Sequence, residues 1–318
     1  PTLAPASADA SFRRYFRIES KNPDFPTLIV MDAPPQHEPL DAFIRVDLLL
    51  ENAGLNVPKI LEKNVAEGFL LLNDLGTKTY LAELNSESAD HLYKDATHAL
   101  VQMQLASKAD VLPNYDEALL KRELDLFPEW YLGKHLHIEL SKLQNLQIKQ
   151  AFELIIQNNL TQAKVYVHRD YHSRNLMVTE KNNPGVIDFQ DAVYGPITYD
   201  ASSLWRDAYI AWPEERVIDW VIKFWEEGRE AGLPMPSDFG QFYRDFEWMG
   251  LQRHLKVAGI FARLTLRDGK PQYLADTPRF IAYIRSTCSR YMELKPLLRL
   301  VEKIEGIELP SVFVFGKN

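Results

Sequence analysis

The sequence predicts an α+β protein of two lobes, a small β-rich one over residues 1–74 and a larger, mainly helical one over residues 75–318. Three observations carry this. Short β-prone runs with a single amphipathic helix among them fill the chain as far as Asp74-Leu75-Gly76. Beyond that point apolar residues recur mostly at helical spacing. The 318 residues, 46% hydrophobic with only 14 Gly and 19 Pro, can bury a large core, and no repeat, low-complexity tract or Gly/Ser linker divides them into modules.

The elements follow in order. Phe12 to Ile18 is aromatic and β-prone, and Thr27 to Met31 is a continuous apolar strand. Asp41 to Ala53 places Phe43, Ile44, Val46, Leu48, Leu49 and Leu50 at helical spacing and stops at Gly54. Phe69 to Leu72 reads as a buried strand running into Asn73 and Asp74. After the boundary, Leu92, Ala96, Ala99, Leu100 and Met103 share one helical face, as do Phe152, Ile155 and Ile156. Val165 to Val167, Leu176 to Val178 and Val186-Ile187 return to strand, the last two separated by the turn residues Lys181 to Gly185. From Asp200 onward Trp205, Trp212, Trp220, Trp225 and Trp248 stand among charged residues, a pattern of amphipathic helices whose indoles fill core or line a pocket, core being the expectation for most.

The chemistry is concentrated between two of these strands. His168-Arg169-Asp170-Tyr171-His172-Ser173-Arg174-Asn175 forms one loop, and Asp188 follows the predicted hairpin. Phosphoryl transfer asks a protein to aim a hydroxyl at a γ-phosphate and to neutralise spreading negative charge, so it needs a carboxylate facing the nucleophile and oxygen ligands for magnesium. Asp170 is the candidate to accept or orient the acceptor hydroxyl. Asp188, with the amide oxygen of Asn175 beside it, suits a hard octahedral cation that keeps several waters. A fixed strand pair holds those two side chains at constant separation, as a shared metal requires. Each alone is also an ordinary turn residue; the set at this spacing points to an ATP- and magnesium-dependent kinase.

The pattern resembles the aminoglycoside phosphotransferase and choline kinase superfamily, whose fold is similar to that of protein kinases, and the resemblance spans the whole chain. Within it, Asp9 to Arg17, Met31 to Pro35, Asp125 to Trp130, Asp188 to Ala192 and Leu251 to Val257 look most like the bacterial anomeric kinases of cell-wall recycling, which phosphorylate N-acetylmuramate and N-acetylglucosamine at C1. The resemblance implies a protein-kinase-like two-lobe fold with a hinge at Leu72, Asn73 and Asp74 beside the adenine. It implies that His168 braces the catalytic loop, and that Asp200, at an expected helix N-cap, hydrogen-bonds that loop from below. His172 orients the loop or meets the substrate. Asp191 reaches a second magnesium or caps a local turn.

Two departures from protein-kinase patterns stand out. The loop from Ser7 to Ser11 has no glycine, and the strand Leu28 to Met31 has no lysine. The phosphate-binding cation must come from elsewhere, with Arg13 or Arg14 as candidates, since alternation sends one to each face; solvated edge-strand charges would show the same pattern. The small residues up to Ser11 leave backbone N–H groups able to cradle phosphates.

Composition excludes several classes. A net charge of −8 argues against nucleic acid, a single Cys288 cannot form an internal disulfide, and no apolar run approaches membrane-spanning length. A cytoplasmic location with ATP at hand and no obligate protein partner is the expectation. For the acceptor, the lactyl carboxylate of N-acetylmuramate calls for a cation, and Arg206, Arg253, His254 and Lys256 are candidates that would serve equally as surface charges. Choline, homoserine or an aminoglycoside as acceptor, and a nucleotide-binding pseudokinase without turnover, are the other readings.

Overall fold

A computed structural model describes residues 4–7 and 13–307. Along the chain run β1 (Ala4–Ser7), β2 (Arg14–Glu19), β3 (Thr27–Asp32), α1 (Leu40–Asn52), β4 (Ile60–Asn64), β5 (Phe69–Asn73), α2 (Tyr80–Glu83), α3 (Ala89–Leu105), α4 (Glu117–Leu124), α5 (Lys142–Thr161), β6 (Lys164–Val167), β7 (Leu176–Met177), β8 (Gly185–Val186), β9 (Val193–Pro196), α6 (Tyr199–Trp205), α7 (Glu214–Glu230), α8 (Phe239–Leu266), α9 (Thr277–Arg290) and α10 (Lys295–Ile304). The expected α+β class holds, with a small sheet region and a larger helical part.

By compactness the chain divides into Pro1–Asn114 with Lys164–Met235, and Tyr115–Ala163 with Pro236–Asn318. All the strands that residues 1–74 were expected to supply lie in the first unit, which also takes in the catalytic loop. Its antiparallel sheet has the order β1-β2-β3-β5-β4, with Arg14 opposite Asp32 and Leu28 opposite Asn73. β1 carries no β-branched residue and escaped the sequence reading; its Pro5 is tolerated because the strand is an edge. Met31, Leu70 and Leu72 face inward at 0%, 1% and 2% exposure, and Phe43, Val46 and Leu50 are the buried stripe of α1. The tight β4–β5 turn needs Gly68, at φ 78°, because a Cβ there would sit 2.1 Å from the Ala33 carbonyl oxygen.

Two small ladders complete this unit. β6 pairs with β9, and β7 with β8 in the register Leu176 opposite Val186. Turn chemistry at 181–185 closes the second as the sequence predicts, Asn182 taking the left-handed φ of 52°. Trp220 of α7 packs against Tyr93 of α3 at 4.6 Å between centroids, and its indole N–H donates to Asp90 at 2.9 Å. Trp205, Trp220 and Trp248 are buried, so core is the main use of the tryptophans; Trp212 and Trp225 are half-buried.

The second unit is built on α8, against which α4, α5 and α9 pack. Gly259 allows the closest approach, for a Cβ there would lie 2.4 Å from Leu126 backbone atoms. Caps begin the helices cleanly: Asp116 accepts from the Leu119 N–H, Asp238 from the Gln241 N–H, and Ser141 with Gln144 forms a reciprocal capping box at α5. No helix among the described residues is long and apolar enough to cross a membrane.

Candidate active site

The loop from His168 to Asn175 begins where β6 stops, and its shape is set by hydrogen bonds to its own backbone and to α6. Asp200, wholly buried in the first turn of α6, accepts the His168 N–H at 2.7 Å and the Arg169 N–H at 3.0 Å with its two oxygens. Those bonds hold Arg169 at φ 76°, a conformation a non-glycine residue keeps only when its surroundings impose it. Burial pushes the His168 imidazole down to about 4, against the pull of Asp170, so the ring is neutral. Its Nδ1 accepts the Asp170 N–H at 3.3 Å, which assigns the proton to Nε2, donated to the Ile187 carbonyl at 3.1 Å.

The Asp170 carbonyl gathers the turn, accepting the His172 N–H at 3.0 Å and the Asn175 side-chain amide at 3.0 Å. Asn175 immediately precedes β7 and Asp188 follows β8, and the Ile187 N–H donates to the Asn175 carbonyl at 3.1 Å. The same Asn175 amide reaches Asp188 Oδ2 at 3.2 Å, and Gln190 donates to Asp188 Oδ1 at 2.8 Å. Asp188 sits at φ 66°, the second left-handed non-glycine residue of the site. Phe189 behind it is buried on Phe43 of α1, with ring centroids 5.0 Å apart.

Among the described residues no group of three His, Cys, Asp or Glu side chains could hold a metal. The Asn175–Asp188 pair fits a magnesium ion that retains waters, since the Asn175 amide nitrogen is spent on Asp170 and Asp188 and its oxygen accepts no hydrogen bond.

At the expected hinge, β5 lies between β3 and β4, so Leu72 is buried and Asn73 pairs across to Leu28. Asp74 is bound by Arg17 of β2, whose Nε donates to Oδ2 at 2.5 Å and whose Nη2 donates to Oδ1 at 3.0 Å and to the Gly76 carbonyl at 2.9 Å. Burial works to raise the Asp74 carboxyl, but hydrogen bonds from Arg17, the Gly76 N–H and Thr27 outweigh it and hold the group below the usual carboxylate range. Arg13 pairs with Glu38 at 2.7 Å and Arg14 with Asp32. Ser11, named as a phosphate contact, lies outside the described residues.

The acceptor candidates separate. Arg206 is 1% exposed and donates to Glu214 at 2.9 Å. Arg253 is 2% exposed, and His254 is buried with its ring stacked on Tyr283 at 4.5 Å. Lys256 is paired with Glu123 at 3.1 Å. None of the four is a surface charge. His172 is buried against the Tyr209 ring, 5.3 Å between centroids. Asp191 is exposed, and its carbonyl accepts from Arg169 at 3.5 Å.

Two residues escaped the sequence reading. Arg17 gave no local sign of pairing with a residue 57 positions away. Asp207, wholly buried, accepts the Ser173 N–H at 2.8 Å and so pins the far end of the loop that Asp200 pins at its start. Its place just after the α6 motif that supplies Asp200 was the available signal.

Residues 2–234 match the model of the phosphotransferase enzyme family. The chain is 49% identical over 307 residues to the N-acetylmuramate/N-acetylglucosamine kinase of Pseudomonas aeruginosa, covering 96% of this chain and 90% of that protein. It is 48% identical over 318 residues to the N-acetylmuramate/N-acetylglucosamine kinase of Neisseria meningitidis, covering 98% and 94%. Among solved structures it resembles choline kinase from Cryptosporidium parvum (TM-score 0.62, 12% identity, 94% and 93% covered). It likewise resembles an ADP-bound aminoglycoside phosphotransferase (TM-score 0.58, 15% identity, 89% and 93% covered). These two likenesses carry the protein-kinase-like fold.

Proposed function

The chain belongs to the phosphotransferase enzyme family, and on that premise we propose that it transfers the γ-phosphoryl group of ATP to the anomeric hydroxyl of N-acetylmuramate or N-acetylglucosamine. It is a small-molecule sugar kinase. The observation that carries the acceptor is the 48–49% identity, over nearly the full length, to two proteins named for these two sugars. Salvage of amino sugars from peptidoglycan in the cytoplasm, where ATP is abundant, is the setting that goes with this reading.

The geometry supports the following roles. Asp170, on a loop whose backbone is tied down at both ends, meets the acceptor hydroxyl and takes its proton as the bond to phosphorus forms. Asn175 and Asp188 hold magnesium, which when bound neutralises charge on the nucleotide phosphates. Neutral His168 carries no proton to the reaction; it keeps Asp170 and Ile187 in register through its two ring nitrogens. The backbone from Leu72 to Asp74 takes the adenine, with Arg17 holding the Asp74 end of that segment. Arg14, 65% exposed at its side chain, is the candidate cation for the phosphates, with Arg13 and the backbone near Ser11 beside it.

ADP release from ATP and magnesium, measured against N-acetylmuramate, N-acetylglucosamine, choline, homoserine and kanamycin, tests the reading, with phosphorus NMR on the product. A sugar 1-phosphate is the expected result. Turnover of choline, homoserine or kanamycin in place of both sugars overturns the acceptor and leaves the phosphotransferase mechanism standing; nucleotide binding without turnover on any of them favours a pseudokinase.

A further inference from the structure

The side chain of Gln190 folds back onto the candidate metal carboxylate. Gln190 stands in the turn that follows Asp188, closed by the Ala192 N–H donating to the Phe189 carbonyl at 3.0 Å, with Phe189 itself seated on Phe43 of α1. From there its Nε2 donates to Asp188 Oδ1 at 2.8 Å, while Asn175 Nδ2 donates to Oδ2 at 3.2 Å. Each oxygen of Asp188 thus meets one amide, and a carboxylate oxygen has lone pairs for both an amide and a metal.

An ionised carboxylate only accepts, so the Gln190 atom that meets it is the nitrogen, and Oε1 has to find its donor elsewhere. Gln190 Oε1 is buried and has no hydrogen-bond partner. A buried acceptor without a donor costs free energy, and in native structures such an atom marks a place where a water, an ion or a ligand group belongs. Magnesium keeps bound waters, and waters are donors. A carboxylate that ligates a metal is in turn held by outer hydrogen bonds that fix its orientation. We propose that Gln190 is a positioning residue of the magnesium site, its Nε2 setting the orientation of Asp188 and its Oε1 accepting from a water of the hydrated ion. This assignment rests on the proposed function; Gln190 acts through Asp188 and not on the reacting atoms.

The test is calorimetric titration of ADP into the full chain, with and without magnesium chloride, for wild type, Gln190→Met, Asp188→Asn and the double variant. Met is unbranched like Gln and removes both polar atoms. Without magnesium, ADP should bind wild type and Gln190→Met alike. The gain in ADP affinity that magnesium brings should fall about 10- to 100-fold in Gln190→Met, the scale of a lost outer partner of a metal ligand. The magnesium concentration for half-maximal rate should rise with it. Because Gln190 acts through Asp188, the double variant should be no worse than Asp188→Asn alone. Gln190 is half-buried, and should Gln190→Met fail to fold, Gln190→Asn, whose amide is one methylene short of Asp188, gives the same reading. A magnesium gain kept in Gln190→Met but lost in Asp188→Asn, losses that add in the double variant, or weaker ADP binding without magnesium each overturn the role of Gln190 alone. A gain that is missing in wild type, or that survives Asp188→Asn, overturns the proposed metal site and this assignment with it.

Discussion

Asn175 donates its side-chain amide to Asp188 Oδ2 at 3.2 Å and, with the same nitrogen, to the Asp170 carbonyl at 3.0 Å. One amide therefore ties the candidate metal carboxylate to the backbone of the candidate base. The β7–β8 ladder keeps the arrangement from drifting, because Leu176 and Val186 are paired in register immediately beside it.

Asp188→Asn should lower kcat about 100-fold or more, the scale of losing a charge aimed at the transition state. Asn175→Leu should raise the magnesium concentration needed for half-maximal rate. Rate measured against magnesium concentration checks both, and an unchanged magnesium dependence in either variant refutes the pair as the metal site.

Asp170→Asn should cut turnover by about 10²- to 10⁴-fold while ADP binds as before, since general-base contributions lie in that range. Calorimetric ADP titration beside single-turnover kinetics separates the two effects. Undiminished ADP release with acceptor would remove Asp170 from the role of base.

Asp47 of α1 is 2% exposed, its Oδ1 has no hydrogen-bond partner, and burial with Glu51 nearby pushes its carboxyl up to about 7. The folded state thus holds a proton that the unfolded chain releases near its ordinary value of 3.8, so stability falls as pH rises from about 4 to 7. Asp47→Asn should flatten that slope and gain on the order of 1–2 kcal/mol at about pH 8, after allowing for solvent screening. Urea melts at several pH values read it out; an Asn variant with the wild-type slope would exonerate Asp47.

The Arg17–Asp74 pair has the opposite sign. Asp74 is held below its unfolded value, so the stability it contributes is present above about pH 4 and drains away as pH falls through the lower, folded value. A double-mutant cycle with Arg17→Met and Asp74→Leu should give a coupling of about 1–3 kcal/mol, because the Asp74 side chain is only 4% exposed. Additive losses would mean that the pair adds nothing beyond each residue's own packing.

Burial pushes the Cys288 thiol up to about 12, which leaves almost no thiolate at neutral pH. Iodoacetamide should leave the folded protein unmodified and label it once in denaturant, as intact mass would report. Rapid labelling of the native chain would show that α9 opens.

The order of elements could be read along the chain because each rests on short-range patterns: the apolar stripe of α1, the turn at 181–185, the continuous apolar run of β5. The failures share a cause. β1 has no residue of high strand propensity and exists because β2 offers it an edge. The cations of the acceptor list looked like surface charges, since a sequence shows a charge but not the acid that a fold brings to it, as with Lys256 and Glu123, 133 positions apart.

What the sequence by itself determined is the placement of the candidate residues, Asp170 and Asn175 five positions apart on one loop with Asp188 just past a hairpin, since turn and strand preferences act over a handful of residues. Tertiary structure alone decided that Asp207 joins Asp200 in holding that loop and that Arg17 holds Asp74. Asp207 reaches the loop's backbone from 34 positions away, and Arg17 finds Asp74 across 57. Contacts over such spans have no local signature; they form only when burial of the surrounding core draws the segments together and leaves their backbone N–H groups and charges in need of partners.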